Sequence, residues 1–466
     1  MNILLVRPPD ITKKNFYCTP YMGLGYLATA LRKKGHEIKI LQCVKEKMGL
    51  ARFEKYLKNN EGKFDLIGFT SETYDVYSTI KSLEVVKRNF PQIYVIVGGP
   101  HVSAAPEMAV YNDFINADYL IKGEGEISFP KLIDFLNGNS ILREDIPGLI
   151  WRDNGKVIFN DTIIHANIDD FGIPAWDLMN PIEYEPSPFN GFARRWPLAP
   201  MIATRGCPFQ CTFCSSKFQM GRGLRKRSIE LVIEEMKLLI GKYGIREIQF
   251  VDDCITVDRQ YIRGLCEAII KDNIQILWQC PNGIRIDTMD EEILRLMRRA
   301  GCYHVSVGIE SASPESIKRM KKGISLDLVR EKVTLAKKIG IKVTGFFILG
   351  FPGEKKRDII NTINFSRKLP LDRVNYSNFW PSPGTEIYEE LKREGKMNKD
   401  NIGTHYFKAT FPPEDMTPEQ LKRWQIWGII SFYMRPRILR SMFEDITSWR
   451  QAGNLMKKFI ALLTMK

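Results

Sequence analysis

Cys207, Cys211 and Cys214 stand in CxxxCxxC spacing within Thr204-Arg-Gly-Cys-Pro-Phe-Gln-Cys-Thr-Phe-Cys-Ser215, at the end of the apolar run Leu198 to Thr204. Thiolates are soft donors that suit iron–sulfur clusters. Three of them so close can hold three irons of a [4Fe–4S] cube and leave the fourth open. A structural zinc site usually draws on two CxxC pairs. No second pair is visible, and no C-terminal Cys/His group could complete such a site. Phe213, just before the third cysteine, would shield one side of a cluster. The alternative is a zinc knuckle or buried free cysteines.

The chain of 466 residues is long enough for two or three domains, and 44 % hydrophobic content fits a well-packed globular protein. Nine cysteines, scattered apart from the triad, do not make a disulfide scaffold. A labile cluster argues for a reducing compartment. The start, Met1-Asn-Ile-Leu-Leu-Val-Arg7, reads as a strand rather than a signal peptide. No uncharged apolar stretch reaches spanning length. The expectation is a cytoplasmic protein, with peripheral membrane contact open. A net charge of +14 could serve nucleic acid, anionic lipid or an acidic substrate. No RNP-like aromatic strand or other nucleic-acid module accompanies it, so nucleic acid is not expected as a partner. Most of the excess reads as solvent-facing helix positions such as Lys321-Lys322, Lys337-Lys338 and Lys355-Lys356-Arg357.

Around the triad, strands and helices alternate. Residues 1–140 carry apolar strand runs at Ile3–Val6, Ile38–Leu41, Leu66–Thr70, Tyr94–Val97 and Tyr119–Ile121, with helices between them, notably Met22–Lys34 and Ser78–Asn89. This predicts a doubly wound, Rossmann-like parallel sheet, whose ligands bind beyond the carboxyl ends of its strands. The loops Pro8–Tyr21, Thr70–Thr73 and Gly98–His101 leave those ends. Residues 141–195 form a linker with a hairpin around Asp153-Asn-Gly155. Residues 196–385 make a second βα series of about six units, predicting a partial TIM-like barrel with reactive groups at strand ends. Within it Ser228 caps one helix, and Thr288 with Glu291 forms a capping box for another. Cys254, Cys266, Cys280 and Cys302 lack cluster spacing and read as core residues. Residues 386–466 are helical. One helix starts at Thr417 with proline next, and a second carries Leu455, Met456, Phe459, Ile460, Leu462 and Leu463 with Lys457 and Lys458. Aromatic, apolar and cationic residues mixed in this way suit either a membrane interface or a cap over the barrel mouth.

The CxxxCxΦC motif resembles the signature of the radical S-adenosylmethionine (radical SAM) enzymes. The resemblance implies that the open iron binds the amino and carboxylate groups of SAM. It also implies that one electron from the cluster cleaves SAM to methionine and a hydrogen-abstracting 5'-deoxyadenosyl radical. Acidic groups can pair with SAM's ammonium or bridge its ribose hydroxyls. Asp252 or Asp253 stands where the family often contacts the amino end. Glu310, in Ser306-Val-Gly-Ile-Glu-Ser-Ala-Ser313, matches the ribose and amino-group region. Gly345-Phe-Phe-Ile-Leu-Gly350 resembles the strand that meets adenine, and Arg285 is a carboxylate-binding candidate. The N-terminal part resembles the cobalamin-binding domain joined to many of these proteins, through Pro20-Tyr-Met-Gly-Leu-Gly-Tyr-Leu-Ala28, Gly35-His-Glu37, Gly98-Gly-Pro-His101 and Gly123-Glu-Gly-Glu126. Gly98 and Gly99 would let a corrin or its nucleotide tail approach the backbone, and Ser71 could hydrogen-bond the tail. The DxHxxG loop of many corrinoid carriers is missing its histidine here. His101, on a later loop, is expected to pack or hydrogen-bond rather than ligate cobalt.

The resemblance spans about residues 1–440 and points to the group with anaerobic magnesium-protoporphyrin IX monomethyl ester cyclases and cobalamin-dependent C-methyltransferases. It implies methylation of an unactivated carbon in a hydrophobic or biosynthetic substrate, with flavodoxin or ferredoxin as electron donor. The alternative within the group is cyclisation or rearrangement without net methyl transfer. A methylthiotransferase would add three N-terminal cysteines and an RNA-binding barrel; only Cys18 and Cys43 precede the linker. A non-catalytic corrinoid carrier would not need the triad.

Overall fold

The computed structural model describes residues 1–11, 18–185, 193–397, 411–446, 449, 451–453 and 455–457. The second tail helix, expected to carry Leu455 to Leu463, lies largely outside them, as does the middle of the Pro8–Tyr21 loop. Two compact units divide the chain: Met1–Glu185 with Ser215–Gly221, and Pro186–Cys214 with Arg222–Lys466.

The first unit is a seven-stranded sheet in the order β2-β1-β3-β4-β5-β6-β7. Its strands are β1 (Asn2–Arg7), β2 (Glu37–Gln42), β3 (Leu66–Thr70), β4 (Tyr94–Gly98), β5 (Tyr119–Ile121), β6 (Leu149–Asp153) and β7 (Lys156–Phe159). The first five pair in parallel, which requires cover on both faces. Accordingly Leu4 and Val6 join Ile67, Phe69, Val95 and Val97 in one core, while Ile3 and Leu5 join Leu66 and Ile96 in the other. The strand order reverses between β1 and β3, and that is where such sheets open a crevice beyond their carboxyl ends. β6 and β7 are the expected hairpin and extend the sheet antiparallel. Asn154 and Gly155 both take positive φ, 48° and 79°, as a type I′ turn demands.

The second unit holds a six-stranded parallel sheet, β15-β14-β13-β12-β11-β8, whose two end strands do not pair with each other. This is the expected open barrel. It comprises β8 (Leu198–Met201), β11 (Glu247–Phe250), β12 (Leu277–Ile284), β13 (Cys302–Glu310), β14 (Lys342–Leu349) and β15 (Arg373–Asn378). A short antiparallel ladder, β9 (Thr204–Arg205) with β10 (Arg225–Lys226), extends from the end of β8. The base of the inner face is polar. His304 sits between Gln279 Oε1 at 2.9 Å and Thr344 Oγ1 at 2.7 Å. Glu247 takes hydrogen bonds from Gln279, Tyr303 and the amides of Arg194 and Arg195. Burial holds His304 well below its usual range, hence neutral, and lifts Glu247 to about 7. Cys254, Cys266, Cys280 and Cys302 are buried, as expected. Ser228 caps its helix through the Leu231 amide. The other expected cap is corrected: Asp290, not Thr288, receives the Ile293 amide, because Thr288 is turned to the Arg285 carbonyl.

The tail completes this unit. The helix Pro418–Tyr433 begins with the expected Thr417 cap and runs antiparallel along the free edge of β15. Gln425 donates to the Tyr376 carbonyl, and the Tyr433 hydroxyl both donates to the Val374 carbonyl and accepts from its amide. Side chains thereby satisfy the edge that another strand would have paired. The next helix, Pro436–Asp445, ends in a buried carboxylate that meets three cations: Arg373 at 2.6 Å, Lys342 at 2.7 Å and Arg194 at 3.0 Å. Among the described residues, no helix is long and apolar enough to cross a membrane. Burial works against charge on Asp445, but the cations outweigh it and its carboxyl sits below the usual range. A depressed pKa adds stability that is present above the unfolded value, about 3.9, and is lost as pH falls through the folded one. Asp445→Asn should therefore lower unfolding stability by about 3 kcal/mol near neutral pH, with the difference shrinking in acid, as measured by urea unfolding.

Candidate active site

The cysteine loop leaves β9 at the carboxyl end of the barrel, where this fold places its chemistry. Its centre is pinned from three directions. The Thr212 amide donates to the Met320 carbonyl and its hydroxyl to the Arg319 carbonyl, both at 3.2 Å, while the Ile387 amide donates to the Thr212 carbonyl. A further bond, Cys214 N to Cys211 O at 3.2 Å, closes the turn between the last two cysteines. All three cysteines are half-buried. Burial pushes the Cys207 thiol up to about 11 and raises Cys211, whose thiolate Lys322 and Arg285 favour. Among the described residues, no three His, Cys, Asp or Glu side chains converge as they would on a single ion. A cube asks for something else, since each thiolate takes its own iron. Three soft donors on a pinned loop flanked by two cations fit that demand.

The two adjacent aspartates differ sharply. Asp252 is buried and accepts from the Ala203 amide at 3.1 Å, from the Thr204 hydroxyl at 2.7 Å and from the Thr204 amide. Burial lifts it to about 6, against those hydrogen bonds. It holds the strand leading into the cysteine loop. Asp253 is the exposed one. Burial raises its carboxyl against a hydrogen bond from the Gly206 amide, so it has fewer partners than Asp252.

Glu310 ends β13 in a left-handed conformation, φ 67°, rare outside glycine and typical of functional strain. Its carboxylate meets Lys322 Nζ at 2.7 Å, and both side chains are about nine-tenths buried. Lys322 thus leaves the solvent-facing set expected of it. A Cβ at Gly308 would lie 2.3 Å from Glu310 Oε1 and 2.6 Å from Lys322 Nζ, so that glycine makes room for the pair. Lys322 also stands 5.9 Å from the Phe213 ring centre, and Arg285 lies 3.7 Å over Phe209 inside the cysteine loop. Arg285 is engaged with Asp287 and with the Lys322 carbonyl. Phe213 packs against Met320, Phe351, Phe379, Ile387 and Leu391. Gly350, φ 79°, gives its amide to Glu354, as does Phe351, and Ser311 donates to the other Glu354 oxygen at 2.6 Å. Sequence reasoning missed Lys322 and Glu354. The small inward residue at Gly308 is the signal that could have pointed to the first.

In the first unit, Ser71, Gly98 and Gly99 meet at adjoining strand ends, with Ser71 N to Gly98 O at 2.9 Å. The Ser71 hydroxyl is engaged with Asp75 and Thr79. Gly99 takes φ 105°, and a Cβ there would come within 2.9 Å of Thr70 and Ser71. One at Gly98 would make only ordinary contact, 3.4 Å from the Ile121 carbonyl. The absent side chains would have met this unit's own atoms, so the glycines let the adjoining strand ends come together. Both His101 ring nitrogens have protein partners, Thr73 at 3.3 Å and Asp113 at 2.8 Å.

Asp252→Ala should lower iron and sulfide content after anaerobic reconstitution. Asp253→Asn should leave both intact and weaken SAM binding about tenfold, read by calorimetry. With a corrinoid bound, His101→Ala should leave the Co(II) EPR spectrum unchanged and free of protein nitrogen coupling.

Comparison with known proteins agrees with this geometry. Residues 201–366 match the radical SAM superfamily, and residues 10–133 match the B12 binding domain. An uncharacterized methyltransferase of Pyrococcus horikoshii is 33 % identical over 456 residues, 95 % of each chain. The cytidylyl-2-hydroxyethylphosphonate methyltransferase of Streptomyces wedmorensis is 28 % identical over 82 % of this chain and 80 % of its own. The fold matches TsrM, a radical SAM methyltransferase from Kitasatospora setae solved with cobalamin and a [4Fe–4S] cluster, with a TM-score of 0.73 at 17 % identity over 98 % of this chain and 99 % of that one. With its cysteine loop at a barrel mouth and its paired glycines at a strand end of a doubly wound sheet, the chain belongs to the B12-binding radical SAM enzymes, whose cofactors are a [4Fe–4S] cluster, S-adenosylmethionine and cobalamin.

Proposed function

We propose that the protein methylates a carbon of a small, neutral, partly apolar biosynthetic molecule held inside the open barrel. The observation that carries this is the inner wall of β14 and β15. His304, Gln279 and Thr344 mark the inner face by bonding to one another. Alternation then puts Phe346, Ile348, Asn375 and Ser377 on it too. Their outward neighbours Phe347, Leu349 and Tyr376 are buried under helices. The four inner residues are only half-buried. A filled barrel would bury both faces, and this half-burial is what room for a substrate above the polar base would give. Among the described residues, the side chains of Asn375 and Ser377 have no hydrogen-bond partner. Phe346 pairs across the strands with Asn375, and Ile348 with Ser377. Such a wall offers apolar contact and neutral hydrogen bonds but no charge.

The rest of the site serves the cofactors. Cys207, Cys211 and Cys214 would hold three irons, with Phe213 shielding one side. Lys322 and Glu310 form a ready pair of opposite charges for the carboxylate and ammonium of SAM, and Arg285 and Asp253 add a second charge of each sign. Gly350 and its strand would meet adenine. In the first unit Gly98 and Gly99 would line the corrin, with Ser71 behind them. When bound, the cluster supplies the electron that opens SAM, and the corrinoid supplies the methyl group. The relatives named for methyl transfer favour this reading over cyclisation. The reading places the reaction in the cytoplasm, with electrons from an acidic flavodoxin or ferredoxin that suits the +14 chain and with the C-terminal segment able to meet a membrane.

The test is product analysis with anaerobically reconstituted protein, hydroxocobalamin with a reductant, and excess SAM labelled in its methyl group, so that the corrinoid is methylated from labelled SAM. The expected product carries the label on carbon. Replacing the three cysteines with alanine should abolish 5'-deoxyadenosine, and Asn375→Leu should cut labelled product at least tenfold with iron content and SAM affinity intact. A product lighter by hydrogen and without label would replace methyl transfer by cyclisation.

A further inference from the structure

The helix Pro418–Tyr433 is apolar on two opposite faces. Leu421, Gly428, Ile429 and Phe432 face the sheet and are buried. On the far side Trp427, Ile430 and Met434 recur at three- and four-residue steps, and they are 41 %, 38 % and 59 % exposed. A surface helix ordinarily turns polar residues outward, and a bare apolar stripe marks a binding surface.

What surrounds the stripe identifies its occupant. Trp427 packs edge-on against Trp424, ring centres 5.4 Å apart. The Arg367 guanidinium stands over Trp427 at 5.7 Å, and Lys356 over Trp424 at 6.0 Å. Arg423, one turn before Trp427 on the same face, is exposed. The helix that follows adds Phe443, 71 % exposed. Indole rings flanked by cations around an aliphatic centre match the layers of a bilayer surface. Rings rest at the headgroups, Ile430 and Met434 reach the acyl chains, and the cations meet phosphates. A second copy of this chain fits poorly, since a two-fold contact through the stripe would set these cations against themselves. The formal charge of +14 adds long-range attraction to an anionic surface.

We infer that the outward stripe of the Pro418–Tyr433 helix, with its ring of cations, docks the enzyme on anionic lipid bilayers. The inference rests on the membrane part of the proposed function and not on the reaction.

Full-length reconstituted protein is floated with vesicles of mixed phosphatidylglycerol and phosphatidylcholine, and separately with phosphatidylcholine alone, at low and high salt. Cluster absorbance and SAM affinity are read on the same samples, so a failure of the radical SAM reading shows itself there. The expected result is flotation with the anionic vesicles at low salt only. The combined Trp427→Ser, Ile430→Ser and Met434→Ser change should lower partition at least tenfold, with absorbance and SAM affinity unchanged. Lys356→Gln, Arg367→Gln and Arg423→Gln should each lower it about fivefold. Three outcomes would overturn the proposal. They are failure to float with anionic vesicles, flotation of the serine variant like the parent, and a dimer in sedimentation that the serine variant loses.

Discussion

A buried carboxylate that accepts two successive backbone amides is the constraint on which the site depends. Asp252 takes the amides of Ala203 and Thr204 and so sets the direction in which the chain enters the cysteine loop. The device recurs in the same unit. Glu354 takes the amides of Gly350 and Phe351 beyond β14, and Glu247 takes those of Arg194 and Arg195 at the base. Consecutive amides pointing the same way form an anion-binding concavity. Here an internal carboxylate fills each one. The arrangement stiffens a turn at a cost in desolvation, visible in the raised pKa of all three acids. A cluster and a sulfonium substrate must be held in fixed register, and stiff turns at strand ends meet that need better than packing alone.

The same logic explains the charges left in reach of ligands. Asp252 and Glu354 are engaged with several backbone groups, whereas Asp253 takes one amide, that of Gly206, and Glu310 meets Lys322. Glu310 carries its own counter-ion in Lys322, so a place shielded from water contains a neutral pair rather than a lone charge. In the proposed reading, a zwitterionic ligand would exchange partners within that pair without leaving either charge alone in a desolvated place.

Much of this was legible in the residues, and the division has a physical basis. Strands buried on both faces announce themselves as unbroken apolar runs, and the cysteine triad, the Asn154-Gly155 turn and the Ser228 and Thr417 caps are local patterns with local causes. What escaped depends on partners distant in sequence. Lys322 sits beside Lys321 in a stretch that reads as solvated surface, and only the fold brings Glu310 to it. Asp252 and Asp253 are indistinguishable until one finds Ala203 and Thr204 above it. Thr288 looked like a helix cap because its spacing to Glu291 was right, yet the Arg285 carbonyl and Thr256 lay within closer reach.

The tail shows how one helix can carry two patterns at once. Gln425 and Tyr433 are polar side chains on its inward face, where periodicity alone expects apolar ones. They are there because a strand edge, not a side-chain core, lies opposite: an unpaired β15 offers amides and carbonyls that only polar groups can satisfy. Leu421, Ile429 and Phe432 supply the apolar burial between those contacts, and Asp445 locks the following helix to the strand origins. Attachment is therefore complete on the inward side alone. Trp427 keeps contacts with Trp424 and Arg367, yet Trp427, Ile430 and Met434 leave apolar surface that the inward attachment does not use.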